Sequence, residues 1–344
     1  MKTMFYLVSM IVMVSLASAQ VTSTEVTKAV SQEKTACPER LQVQSSGVEG
    51  KTRTQNSQLN ITTHNSQLTT LTSPMATAPM QNPRFTTEHV ALNVPDPLAM
   101  VDWYKKHFGM TVKRGGGPPT HTAFIADISG NILLELFVNT AFPMLDLYSL
   151  HQMSFHLAFM TNDIVGTKEA LVRAGSGVVE DVSQAPSGDQ FLMMRDPWGL
   201  SLQFVQRASP MLPHVHLRPE HVAFNVHNSP VQARWYQEHL GMKVKREGGA
   251  PGFGFFLADA EERMMLELYQ NQAHPMIDLP NTSYMSLHFA FMVTDVASAR
   301  QRLLAAGATI ADDLTTIPSG DVVLMMRDPW GLALQCVKRV EAMI

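Results

Sequence analysis

Apolar residues alternate with polar or small ones along Glu88–Val94, Glu-His-Val-Ala-Leu-Asn-Val. This predicts a strand with Val90, Leu92 and Val94 on one face and His89, Ala91 and Asn93 on the other. The first is a core face. The second sets an imidazole beside a small side chain and an amide, which suits the lining of a cavity. The period then changes. Asp96 offers a helix cap with Pro97 at the first helical position, and Met100, Trp103, Tyr104 and His107 follow at helical spacing before Gly109 stops the helix. Short strands are predicted near 110–114, 121–127 and 132–138. A second run repeats the order: a strand over Ser154–Met160, a helix from a cap at Asp163 to Ala174 with Gly175 as its stop, and strands near 178–182, 190–195 and 200–205, with Asp196-Pro197-Trp198-Gly199 turning between the last two. The unit is βαβββ.

The whole arrangement recurs. Glu220–Val226 reads Glu-His-Val-Ala-Phe-Asn-Val, a displacement of 221 − 89 = 132 residues. Residues 85–207 align with 217–339 without a gap and a little under half of the positions are identical; Trp103/Trp235, Gly109/Gly241, Glu135/Glu267, His156/His288, Pro197/Pro329 and Gln203/Gln335 all keep the offset. The chain therefore carries a tandem duplication and four βαβββ units. Residues 208–216, Ala-Ser-Pro-Met-Leu-Pro-His-Val-His, form a short Pro-bearing linker between domain 1 (85–207) and domain 2 (217–344). The fold class is α+β.

Composition adds a compartment and excludes some partners. At 344 residues, two folded domains are expected, and a net charge of −4 gives no electrostatic footprint for nucleic acid. The 23 methionines are scattered and read as core gap-fillers. The first 19 residues have a charged start, an apolar run from Met4 to about Leu16 and Ala17-Ser18-Ala19, the marks of a cleavable secretory signal. That run is shorter than the about 20 residues a spanning helix needs, so the expectation is a secreted protein, extracellular or periplasmic, with no membrane contact after cleavage. Residues 20–84, rich in Thr, Ser, Gln and Asn, read as a disordered tail that serves as a spacer or a glycosylated stalk. Asn60-Ile61-Thr62 and Asn281-Thr282-Ser283 are acceptor sequons. Cys37 reads as a free or intermolecular thiol and Cys336 as buried packing, so this is not a disulfide scaffold.

Four polar residues per repeat sit inside apolar strands: His89, Glu135, His156 and Gln203 in the first, His221, Glu267, His288 and Gln335 in the second. An ionised carboxylate left alone in such a strand costs several kcal/mol, so Glu135 and Glu267 need a cation, a hydrogen-bond network or water. Histidines open the first strand of each unit, and Glu or Gln sits in its last strand. Two imidazoles with one carboxylate form a known divalent-metal arrangement; satisfied structural residues are the alternative.

These motifs, with Trp103-Tyr104, Gly109-Met110, Leu-Leu-Glu-Leu, Phe-His-Leu-Ala-Phe and Arg-Asp-Pro-Trp-Gly-Leu-Ser-Leu-Gln, resemble the vicinal oxygen chelate (VOC) superfamily over about 85–340. That superfamily includes glyoxalase I, extradiol dioxygenases, fosfomycin-resistance proteins, bleomycin-binding proteins and methylmalonyl-CoA epimerase. The resemblance implies that pairs of βαβββ units curl into mixed, cup-shaped sheets. It also implies a divalent ion (Fe, Mn, Ni or Zn) held by a His/Glu/His/Gln set. The cups form either within each domain or between the first half of one and the second half of the other, and both give the same set. Bacterial-type glyoxalase I resembles His/Glu/His/Glu, and the epimerase His/Gln/His/Glu, which matches the present set if its halves exchange roles. Dioxygenases and fosfomycin-resistance proteins place a carboxylate where this chain has Gln203 and Gln335.

Two neutral imidazoles, one carboxylate and one amide around a divalent ion leave a charge of about +1, which favours a bound anion or an enolate-like intermediate. Glu135 and Glu267 are the candidate bases, with a plain ligand role as the alternative. Asn93 and Asn225 either line the cup or bond to backbone; Arg195 and Arg327 either meet an anionic substrate or pair with a nearby acid. Gly115-Gly116-Gly117 and Ser187-Gly188-Asp189 lack a strand-to-helix context and read as turns. His107, His121 and His239 read as surface. The expected function is a metal-dependent enzyme with lyase or isomerase chemistry on a small oxygenated substrate. An extradiol-type dioxygenase and a non-catalytic small-molecule binding protein are the alternatives. Glyoxalase I activity itself fits poorly, because its thiol-conjugate substrate is cytosolic and the leader points outward. The duplication makes a monomer, as a pseudo-dimer within one chain, the expected state.

Overall fold

The computed structural model describes residues 83–344. The leader, the Thr/Ser-rich tail with its sequon at Asn60, and Cys37 lie outside the described residues.

Each repeat holds two βαβββ units. The first unit is β1 (Phe85–Asn93), α1 (Pro97–Phe108), β2 (Thr111–Gly115), β3 (Ala123–Ala126) and β4 (Leu133–Phe137). The second is β5 (Phe155–Met160), α2 (Ile164–Arg173), β6 (Gly177–Gln184), β7 (Gln190–Arg195) and β8 (Ser201–Gln206). The other repeat gives β9 (Pro219–Asn225), α3 (Ser229–Leu240), β10 (Lys243–Glu247), β11 (Phe255–Ala258) and β12 (Met265–Tyr269), then β13 (Leu287–Val293), α4 (Val296–Ala305), β14 (Thr309–Thr316), β15 (Val322–Arg327) and β16 (Ala333–Lys338). The helix signals act as read: Asp96 accepts from Ala99 N at 3.1 Å, and Gly109 closes α1 with φ 66°.

The strands assemble into two eight-stranded mixed sheets, and neither belongs to one repeat. One runs β14-β15-β16-β13-β1-β4-β3-β2, the other β10-β11-β12-β9-β5-β8-β7-β6. The cups therefore form between the repeats. The joints are antiparallel, β1 with β13 and β5 with β9, whereas β1–β4 and β5–β8 within a unit are parallel. A single apolar core unites both sheets and the helices, taking in Val90, Leu92, Val94, Trp103, Tyr104, Phe108, Phe159 and Phe204, with their counterparts in the second repeat. Val90, Leu92 and Val94 thus mark the core face of β1, and His89 and Ala91 the other. Met100, Met110, Met194, Met264 and Met326 fill gaps in this core, and buried Cys336 joins it with its thiol pushed up to about 12 by burial. Linker residues Met211 and Leu212 pack on Phe256, Ala258 and Met265, and the final residues Met343 and Ile344 pack on Phe124, Ala126 and Leu133.

Candidate metal centres

Strand register brings the polar residues together. In the first sheet Gln335, Ala290, His89 and Leu133 form one cross-strand row, and His288, Ala91 and Glu135 form the row beside it. All lie on the face opposite the shared core, and the alanines leave a floor without bulk. The second sheet repeats this with Gln203, Ala158, His221 and Met265 beside His156, Ala223 and Glu267. The residues of one repeat are thereby redistributed. His89 and Glu135 meet His288 and Gln335, while His156 and Gln203 share a sheet face with His221 and Glu267.

In the first cluster His89 Nε2 lies 3.1 Å from Glu135 Oε2 and 3.4 Å from His288 Nε2; His288 Nε2 lies 3.5 Å from Glu135 Oε2 and 3.4 Å from Gln335 Nε2. In the second, His221 Nε2 lies 3.1 Å and His156 Nε2 3.9 Å from Glu267 Oε2. Each triad could hold a metal ion, its three donor atoms lying within 4.8 Å of one another. The carboxylates are nearly enclosed, with side-chain exposures of 13 % for Glu135 and 7 % for Glu267.

The opposite edge of each ring fixes the tautomer. His89 Nδ1 donates to Glu88 Oε2 at 2.8 Å, and His221 Nδ1 to Glu220 Oε2 at 2.9 Å. His288 Nδ1 donates to the Tyr284 carbonyl and His156 Nδ1 to that of Gln152, both at 3.0 Å. These acceptors cannot donate, so every Nδ1 carries its proton and every neutral ring turns a lone pair at Nε2 toward the convergence point. Glu135 Oε2, His156 Nε2 and His221 Nε2 are buried there without a hydrogen bond. Facing lone pairs and orphaned buried acceptors are what a cation would satisfy, so the residues fit a divalent ion.

Charge in the clusters follows burial and neighbours. Burial is the largest influence on His89 and lowers its pKa, but Glu135 and Glu88 outweigh it and the net shift is upward; His221 behaves likewise beside Glu267 and Glu220. His156 falls to about 4, through burial first and the charge of His221 second. For Glu135 burial raises the pKa, yet His288 and His89 more than reverse it and hold the carboxyl well below its usual range.

Several other expectations take definite form. Asn93 Nδ2 donates to the Asn139 carbonyl at 2.9 Å and its Oδ1 accepts from Asn139 N, and Asn225 does the same with Asn271, so both amides bond to backbone. Among the described residues neither Arg195 nor Arg327 forms an ion pair within 4 Å. Arg195 donates to the carbonyls of Leu147, Leu150 and Gly199, and Arg327 to those of Leu279, Thr282 and Gly331. The reason is local: the loop leading into β5 or β13 presents two carbonyls and the turn after β7 or β15 a third, and one guanidinium gathers all three. His107, His121 and His239 are half-buried, and His107 and His239 lie against Trp103 and Trp235. Asp189, within an expected turn, is buried and accepts from Arg207, Arg246 and the Ala208 backbone.

Glu88 and Glu220, each next to a cluster histidine in the chain, also take part. Strict alternation would put Glu88 on the face away from His89. In the ladder, however, Thr87 pairs with Phe291 and His89 with the adjacent Ala290, so Glu88 is the extra residue of a bulge; Glu220 is the same between Pro219 and His221. The Glu-His dipeptide at both positions was the available signal.

The family description "Glyoxalase/Bleomycin resistance protein/Dioxygenase superfamily" matches residues 86–204 and again 218–336, and the chain belongs to this superfamily, with two tandem VOC domains. Among solved structures the fold is similar to glyoxalase I from Zea mays, at 22 % identity and a TM-score of 0.61, covering 74 % of this chain and 93 % of that one. It is also similar to a provisionally assigned dioxygenase from Bacillus subtilis, at 11 % identity and a TM-score of 0.55, covering 75 % and 86 %. At these identities the likeness is one of fold. No curated protein matches the chain.

Proposed function

We propose that each triad, with its neighbouring glutamine, holds a divalent ion (Fe, Mn, Ni or Zn), and that the protein is a metal-dependent enzyme acting on a small substrate with a carbonyl or enol-forming group, by lyase or isomerase chemistry. One observation carries this reading: ligand atoms of two imidazoles and a carboxylate, on three strands, converge within 4.8 Å in each cluster, and Glu135 Oε2, His156 Nε2 and His221 Nε2 are buried there without a hydrogen bond. A bound ion would act there as a Lewis acid on the substrate oxygen. The chain's own residues do the rest. His89 and His288, or His221 and His156, present Nε2; Gln335 or Gln203 adds a neutral amide and so leaves the site a net positive charge for an anionic or enolate-like species. Glu135 or Glu267, ionised, would loosen from the ion to accept a proton from a carbon beside the carbonyl; a plain ligand role is the alternative. Near-complete burial keeps bulk water from that proton.

Secretion belongs to this proposal. Its support is the charged start, apolar run and Ala-Ser-Ala of residues 1–19.

The test is metal analysis of the purified protein, followed by turnover of a panel of 2-oxo acids, hemithioacetals and catechols by wild type and a Glu135→Gln/Glu267→Gln variant. Stoichiometric divalent ion with conversion lost in the variant is expected. Absence of such an ion overturns the metal reading; ligand capture without conversion in wild type makes the protein a binder, and ring cleavage of catechols makes it a dioxygenase.

A further inference from the structure

Behind each cluster runs a buried chain of alternating charge. Arg339 donates from Nε and Nη2 to both oxygens of Glu88, at 2.8 and 2.6 Å, and from Nη1 to Asp321 at 3.1 Å; Arg114 donates to the same Asp321 oxygen at 2.6 Å. Glu88 in turn accepts from His89 Nδ1. The second sheet repeats every link: Arg246 and Arg207 on Asp189, Arg207 on Glu220 through Nε and Nη2 at 2.9 and 2.6 Å, and Glu220 on His221. The Glu88 and Glu220 side chains have no exposure, and those of Arg339 and Arg207 have 5 % and 2 %. The guanidiniums also lie 5.2 Å above the Phe124 ring and 5.6 Å above that of Phe256.

Burying so many charges favours a fold weakly at best, since their desolvation offsets most of the attraction. Geometry shows another use. A fork-on-fork pair fixes both carboxylate oxygens, so Glu88 cannot rotate toward the convergence point and can only hold Nδ1–H. Within each centre the other histidine is held by a neutral carbonyl instead. The two imidazoles of one site are thus backed unequally, and a carboxylate behind a ring makes it the stronger donor.

We infer that Glu88 and Glu220 are positioning residues, clamped by Arg339 and Arg207, which orient His89 and His221 and strengthen them as ligands of the ion. This rests on the metal reading above. Arg339 reaches Glu88 from 251 positions along the chain, so the first centre depends on the far end of the second repeat.

The test uses the full chain and titrates Zn²⁺ against a competing chelator. Wild type is expected to take up two ions, and Glu88→Gln to weaken one of them by roughly 10–100-fold while the other keeps its affinity. The untouched centre is the internal control, and Glu220→Gln is expected to weaken the opposite one. If Glu88→Gln does not fold, Glu88→Gln/Arg339→Met, which removes both charges, carries the measurement with the same expectation. Co²⁺ absorption should change for one ion of two. Equal affinity at both centres in a folded variant overturns the inference and leaves the metal reading standing. Wild type that binds no ion removes the metal reading itself. Loss of fold in both variants also overturns the inference, because the pair would then hold the sheet rather than the ligand.

Discussion

His89 of β1 stands directly opposite Ala290 of β13, and His288 opposite Ala91, so at the seam between the repeats each imidazole faces a methyl group. Both alanines are fully buried. The space above them is where the Nε2 atoms meet. Ala290→Val should therefore obstruct the first centre and leave the second intact. A cost of about 1–3 kcal/mol is expected from overpacking, with metal uptake falling from two ions to one. Retention of two ions would show that the floor is not limiting.

The guanidinium of Arg327 gathers the loop that carries Tyr284, whose carbonyl orients His288. Arg327→Met should cost about 2–4 kcal/mol, as charge-assisted bonds to three carbonyls are lost. Metal affinity at the first centre should fall with it. Thermal unfolding and chelator competition read the two effects separately, and a stable variant with normal affinity would deny the link.

Asp196 and Asp328 accept from Tyr104 and Tyr236, each at 2.9 Å, and burial pushes both carboxyls up to about 6 despite these bonds. A folded-state pKa above the unfolded value of 3.8 means that the native state binds more protons between those two pH values. Stability therefore rises as pH falls through 6, and the gain is complete below 3.8, up to about 3 kcal/mol per site. Asn cannot take up that proton. The stability of wild type relative to an Asp196→Asn/Asp328→Asn variant should thus increase as pH falls from 7 to 4. A difference that does not move with pH would rule this out.

Gly331 has φ 97°, and a Cβ there would lie 2.6 Å from Pro280 Cα. Gly241 has φ 72°, with nothing within 4 Å of such a Cβ. Gly241→Ala should cost only the left-handed conformation, about 1–2 kcal/mol. Gly331→Ala adds a backbone clash and should cost more, roughly 2–4 kcal/mol in total. Equal melting temperatures would contradict the difference.

Much of this was legible in the chain. The caps at Asp96 and Asp163, the stops at Gly109 and Gly175 and the offset of 132 residues fix the units, because helix termini and strand periodicity are local. The matching placement of His89, Glu135, His156 and Gln203 came from the same periodicity. Which units would join was not legible, because β5 and β13 carry the same side-chain pattern and β1 could zip to either. Glu88 escaped because a bulge defeats alternation, and a bulge exists only in relation to the partner strand. The acceptors of Arg195 and Arg327 are main-chain carbonyls, which no side-chain pattern reveals.

Because each sheet is zipped from halves of both repeats, neither repeat is a self-sufficient piece of machinery. A lone repeat could rebuild a centre only by finding a second copy of itself, and a severed chain should work again when its two fragments are mixed. Loss of a whole repeat would therefore dismantle both centres at once, so the duplicated halves are bound to a common fate.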